Sequence, residues 1–153
     1  MRVVLDSNIL VRANPTVSPQ GLARDLLLTI AFGPHVLVLS PAILTEVKRV
    51  LTYPRVQARW PLSDEVIDKY LEFLGAVGFL VELPTASPRI VSDPDDDPIL
   101  QTAILGRADI LCTRDEAFHH RVVEEVCSAH GLRVVDDIAF LQELRRSASS
   151  QVD

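Results

Sequence analysis

Residues 2–8 read Arg2-Val3-Val4-Leu5-Asp6-Ser7-Asn8, an almost unbroken apolar run that stops at a carboxylate. A short stretch without polar alternation is what a strand looks like when both faces of its sheet are covered. Four similar runs follow: Val36-Leu37-Val38-Leu39, Leu80-Val81-Glu82-Leu83, Ile110-Leu111-Cys112-Thr113 and Leu132-Arg133-Val134-Val135. Helical patterns lie between them. Leu22, Ala23, Leu26, Leu27 and Ile30 recur at helical spacing until Gly33-Pro34 stops that helix. Ser40-Pro41 supplies a cap and a first residue for a helix to about Leu51, and Tyr53-Pro54 ends it. Residues 55–61 are irregular or a short helix. Ser63-Asp64-Glu65 opens a helix to about Leu74, ahead of Gly75 and Gly78. Further helices are expected over about 98–106, over 120–129 closed by Gly131, and from Asp136 or Asp137 to about Arg146. Alternating strand and helix predicts an α/β fold with right-handed crossovers and a mainly parallel sheet of about five strands. One domain is expected over 1–146, with 147–153 as a frayed tail.

The chain has 153 residues, 48% of them hydrophobic and only 5% aromatic. That suits one domain with an aliphatic core rather than a disordered chain. The formal net charge is −6. It argues against a protein that holds nucleic acid by general attraction, where a basic footprint is expected. It leaves room for an enzyme whose carboxylates are offset by bound cations. Cys112 and Cys127 lie in internal-looking segments without metal-ligand spacing, and read as packed thiols of a reducing compartment. The apolar stretch in MRVVLDSNILV is too short for a secretory signal, and no run approaches the ~18 apolar residues of a membrane span. A cytoplasmic protein without membrane contact is expected.

In a parallel α/β fold, ligands bind beyond the carboxyl ends of the strands, where Asp6 and Asp115 fall. Glu46 lies about one turn into the helix after the second strand, at the edge of its apolar arc. Asp97 stands at the start of the helix before the fourth strand. Each has an ordinary reading: Asp6 and Asp115 as turn or cap residues, Glu46 as a surface group, Asp95-Asp96-Asp97 as a solvated loop and cap. Gathered in one cleft, however, four carboxylates repel unless a cation joins them. Mg²⁺ or Mn²⁺, one or two ions per site, is the natural partner of oxygen ligands and activates water for attack on a phosphodiester. Ser7, Asn8 and Thr113 are candidates for orienting those carboxylates or touching substrate.

The opening VVLDSNILV, the glutamate of SPAILTEVKRVL, the stretch DPDDDPILQTA and the segment ADILCTRD together resemble the PIN domain, within it the prokaryotic toxin-type (VapC-like) ribonuclease branch. The resemblance covers about residues 1–140 in order. It implies a three-layer α/β/α sandwich and metal-dependent cleavage of RNA, in single strands or loops. It also implies a homodimer and, for many members, an antitoxin protein as partner. It places the family's acidic positions on Asp6, Glu46, Asp97 and Asp115, with Asn8 and Thr113 at the accompanying polar positions. Asp93 and Asp96 compete with Asp97, and Asp96 is a further candidate ligand. Position 114, often glycine in this branch, is Arg114 here, beside the site and able to contact phosphate or a carboxylate.

Arg12 and Arg114 are the favoured phosphate contacts, being close in sequence to the proposed ligands. His119 and His120 flank the last acidic loop as surface pair or auxiliary contact. Tyr53 to Pro61, with Trp60 among arginines, reads as an interface or substrate flank, or simply as Trp60 packing into the core. A phosphatase with an aspartyl nucleophile would favour a second aspartate two residues after Asp6. Asn8 occupies that place and cannot take a proton. The competing function is a non-catalytic nucleic-acid-binding or protein-interaction module on the same fold.

Overall fold

A computed structural model describes residues 1–17, 21–84 and 97–152, with Asp97 by its backbone alone. Its centre is a five-stranded sheet of β1 (Arg2–Leu5), β2 (Val36–Leu39), β3 (Gly78–Leu80), β4 (Ile110–Cys112) and β5 (Arg133–Val135). The spatial order is β3-β2-β1-β4-β5, and every neighbouring pair is parallel. Val3, Val4 and Leu5 are all fully buried although successive side chains leave a strand on opposite faces. Helices therefore cover both faces, which makes the fold a three-layer α/β/α sandwich.

The helices are α1 (Ser7–Arg12), α2 (Leu22–Phe32), α3 (Pro41–Leu51), α4 (Pro54–Arg59), α5 (Asp64–Val77), α6 (Asp97–Leu105), α7 (Arg121–Ala129) and α8 (Asp137–Ser150). Ser40 caps α3 through the Ile43 N–H at 3.4 Å, with Pro41 as its first residue, as its sequence suggested. Asp136, not Asp137, caps α8 by accepting from the Ala139 N–H at 2.7 Å. Gly131 adopts the left-handed conformation (φ 66°) that closes α7.

Three expectations need correction. Helix α1 begins directly after Asp6, a stretch in which the sequence pattern marks no helix; Ile9, Leu10 and Val11 bury it. The third strand occupies Gly78–Leu80 rather than 80–83, because α5 runs on to Val77. Gly75 does not stop that helix, and a side chain there would meet nothing within 4 Å. Gly78 instead pairs with Leu37, where its missing Cβ admits the Leu39 side chain. Finally, α8 continues past Arg146 to Ser150, its hydroxyls at Ser147, Ser149 and Ser150 bonding carbonyls one turn back.

Strands β1, β2 and β3 progress to one side of the sheet, and the chain then crosses back to place β4 on the other side of β1. That reversal puts a crevice between the carboxyl ends of β1 and β4. Helix α6 packs against β1, β2 and β4. It is tied to α3 where the buried Thr102 hydroxyl meets Ser40 Oγ at 2.8 Å. The close approach of α6 to β2 depends on Gly106. A Cβ there would overlap Val38 Cγ1 and stand 2.7 Å from the Thr102 carbonyl oxygen. Gly106→Ala should therefore cost about 2 kcal/mol through overpacking, read as a lowered thermal or urea midpoint. An unchanged midpoint would mean that the α6–β2 contact is looser than described.

Candidate active site

Strand β1 carries Asp6 to its own end, and the Asp6 N–H bonds the Cys112 carbonyl at 3.0 Å, locking it beside β4. The side chain is only 5% exposed. One residue beyond β4, Thr113 donates its hydroxyl to Asp6 Oδ2 at 2.6 Å and accepts from the Asp115 N–H at 3.0 Å. Asp115 Oδ1 in turn accepts from the Ala117 N–H at 2.9 Å, opening a 3₁₀ turn over Glu116–His119 that seats Phe118 in the core. A single buried hydroxyl thus ties the Asp6 carboxylate to the backbone of Asp115.

Burial pushes the Asp6 carboxyl above the ordinary aspartate value, against the hydrogen bond from Thr113 and the N–H of Asn8; the nearby Asp115 charge pushes it further up, and the Ser7 N–H opposes. Ser7 is buried, and its hydroxyl has no hydrogen-bond partner among the described residues. Asn8 is exposed. Cys112 and Cys127 are free, buried thiols. Burial raises the Cys112 thiol, and the charges of Asp137, Asp136 and Asp6 add to that.

Glu46 is half-buried on α3, which packs against α1. Its carboxylate is held by Arg49 in a fork with contacts of 2.6 to 2.9 Å, and the Arg49 guanidinium lies 5.6 Å from the Tyr53 ring centre. It is not brought onto Asp6 and Asp115. Asp97 begins α6, but its side chain lies outside the described residues, as do Asp93, Asp95 and Asp96. Among the described residues, no three of His, Cys, Asp and Glu stand together as a metal-holding group. What is present is a pair of carboxylates, one of them desolvated, with hydroxyls beside them. That all-oxygen set suits a hard divalent cation.

The sequence reading missed Asp137. Its side chain is 1% exposed and takes a fork from Arg114, Nε to Oδ1 at 2.5 Å and a terminal nitrogen to Oδ2 at 3.1 Å. Arg12 approaches the same Oδ2 at 3.6 Å, while its Nε donates to the Asn8 carbonyl at 3.3 Å. The hydrogen bond to Asp137 raises the Arg114 guanidinium above its usual value. A signal was available: Asp137 precedes Phe140, Leu141 and Leu144 at three, four and seven residues, so it lies on the buried stripe of α8. Read as an alternative cap, it hid there.

Comparison with known families adds one finding. A family model described as PIN domain matches residues 2–117, a stretch that contains Asp6, Glu46, Thr113 and Asp115 and ends before Asp137. Neither the curated proteins nor the solved structures give a significant match. Covering most of the sequence, the family match shows that the chain belongs to the PIN domain family, whose members are generally nucleases.

Proposed function

We propose that this chain is a divalent-metal-dependent endoribonuclease of the toxin-type branch, working as one domain over residues 1–146. The observation that carries the reading is the buried Asp6 carboxylate, joined to Asp115 through Thr113 at the switch point of a parallel sheet. Isolated in the interior, such a carboxylate favours its neutral form; a cation beside it makes the charged form the useful one. Asp6 and Asp115, with Glu46, Asp97 and in second place Asp96, would hold Mg²⁺ or Mn²⁺. When bound, such an ion lowers the pKa of a water and offsets charge on the leaving oxygen. Asp6 and Asp115 orient that chemistry from rigid strand ends. Thr113 fixes the direction of Asp6, and the burial of Asp6 limits its access to bulk water. The Glu46–Arg49 contact is a half-exposed i,i+3 pair, worth about 0.5 kcal/mol, and so presents little resistance to Glu46 turning towards a cation.

The cytoplasm, a homodimer and an antitoxin partner belong to the same reading. No helix among the described residues is long and apolar enough to cross a membrane. The test is cleavage of labelled single-stranded, hairpin and duplex RNA, with DNA counterparts, in Mn²⁺, in Mg²⁺ and in chelator. RNA products that need a divalent ion are expected. A folded protein that cuts nothing and binds no Mn²⁺ would replace this reading with a non-catalytic interaction module.

A further inference from the structure

Near the carboxylate pair in the chain, a cavity of about 230 Å³ is lined by Arg12, Arg114 and the buried Asp137 together with Val17, Leu22 and Trp60, and the Arg59 guanidinium lies 4.5 Å from the Trp60 ring centre. Its composition is unlike that of the carboxylate pair: guanidinium donors share it with an aromatic and aliphatic lining. We infer that this cavity is a nucleotide subsite, taking one unpaired base against its apolar lining of Val17, Leu22 and Trp60 and its phosphate on Arg12 and Arg114. The inference rests on the nuclease reading, because the strand held here is the one that would run past Asp6 and Asp115.

Three observations support it. The first is pre-organisation. Two long cationic side chains would normally wander, but Asp137, at 1% exposure, holds Arg114 in a fork and pairs with Arg12 at 3.6 Å. Their own side chains are 39% and 48% exposed. A guanidinium carries five N–H donors, and the Arg114 fork uses two, so donors are left for an anion arriving from solvent. The second is size. The cavity falls below the ~300 Å³ at which sites for drug-sized ligands begin. It suits one base and excludes a base still paired in a duplex, since only unstacked bases can be splayed into such a pocket. The third is position. Arg114 lies between Thr113 and Asp115 in the chain, and Arg12 donates to the Asn8 carbonyl two residues after Asp6, so subsite and carboxylates adjoin. Asp136 also faces Arg114, but its Oδ1 accepts from the Ala139 N–H. Asp137 is accordingly a positioning residue: it acts through the arginines. The net charge of −6 is no obstacle, because the anion meets donors already aligned rather than a diffuse basic field.

Trp60 is the only tryptophan in the sequence, so intrinsic fluorescence reports on this cavity. The experiment titrates the full chain, in chelator to prevent cutting, with single-stranded RNA, single-stranded DNA and duplexes of each, reading tryptophan emission alongside anisotropy of the labelled strand. Saturable quenching by single strands and not by duplexes is expected. The RNA and DNA arms identify which strand supplies the nucleotide. The double variant Arg12→Ala/Arg114→Ala should weaken that binding at least tenfold while keeping a cooperative melt. Asp137→Asn, which retains both arginines and loses the second charged acceptor, should weaken it severalfold. A purely structural bridge would lower the melting temperature in these variants without touching the quenching curve of the folded protein, and that outcome would overturn the subsite. So would binding seen by anisotropy with no change in emission, or duplex binding as tight as single-strand binding. Cleavage without quenching would remove the subsite and leave the nuclease standing; quenching without cleavage in Mn²⁺ would do the reverse.

Discussion

In chelator at neutral pH, an Asp6→Asn protein should melt at a higher temperature than the parent, and in Mn²⁺ it should cut no RNA. The stability half follows from the direction of the Asp6 shift. Burial raises that carboxyl in the folded protein, and the Thr113 hydroxyl and nearby N–H groups reverse only part of it. With the folded value above the unfolded value near 3.8, the contribution of Asp6 to stability is fully present below the unfolded value. It is lost as pH rises through the folded value. Asparagine has nearly the same shape and no proton to lose, so the variant escapes that loss. The difference in melting temperature should open as pH rises above about 4 and level off once Asp6 is ionised. Mn²⁺ should then narrow the gap, since a ligand stabilises only the protein that binds it. Cleavage should fall by more than the roughly 100-fold typical of losing a supporting residue, because a ligand itself is gone. A variant that melts below the parent in chelator would mean that Asp6 is already neutralised by its surroundings, and the reason for a cation at this place would disappear.

The parts of the fold that were legible in the sequence are those with a single dominant cause. Val3-Val4-Leu5 and Leu37-Val38-Leu39 are fully or almost fully buried strands, and unbroken apolar runs of that length have few other uses. Ser40-Pro41 and Gly131 mark helix ends because capping geometry is local. Where two causes compete, the reading slipped. Gly75 and Gly78 look alike as breakers, yet only Gly78 is needed, for close packing against Leu39 that no local pattern reveals. Helix α1 is six residues long and is held by tertiary burial of Ile9, Leu10 and Val11 rather than by its own propensity.

The candidate site divides in the same way. Asp6 and Asp115 were legible because strand ends fix them, and their approach follows from a strand order in which β1 and β4 are neighbours. Glu46 was placed on the right helix, but the direction of its side chain depends on Arg49 one turn on, a pairing that helical spacing alone allows and does not compel. Arg114 was noticed as a departure from the family pattern, whereas its partner lies 23 positions later. Long-range ion pairs leave no periodic trace, so Asp137 could be suspected only from its place on an apolar stripe.

Thr113→Val should separate the hydroxyl from the shape it fills. Thr113 is fully buried, and its oxygen serves Asp6 as donor and the Asp115 N–H as acceptor. Valine keeps the branch and loses these two bonds, leaving the buried Asp6 oxygen without its donor at a cost of about 1–3 kcal/mol. The Thr113 bond is also the largest influence holding the Asp6 carboxyl down. Without it, that carboxyl moves further up, and the acid limb of the cleavage profile should move to higher pH in the same direction. Above that limb, cleavage should still be reduced by roughly 10–100-fold, the usual cost of removing a group that orients a ligand. Thr113→Ser, which restores the hydroxyl, should recover most of the rate and the parent profile. Introduced into the Asp6→Asn protein, Thr113→Val should have a smaller effect on metal-free stability than in the parent, because the charge that the hydroxyl served is absent; a double-mutant cycle measures that coupling. If Thr113→Val cuts RNA at the parent rate with an unmoved acid limb, the bond between Thr113 and Asp6 is an ornament of the resting protein, and the orientation of Asp6 must come from the backbone of β1 alone.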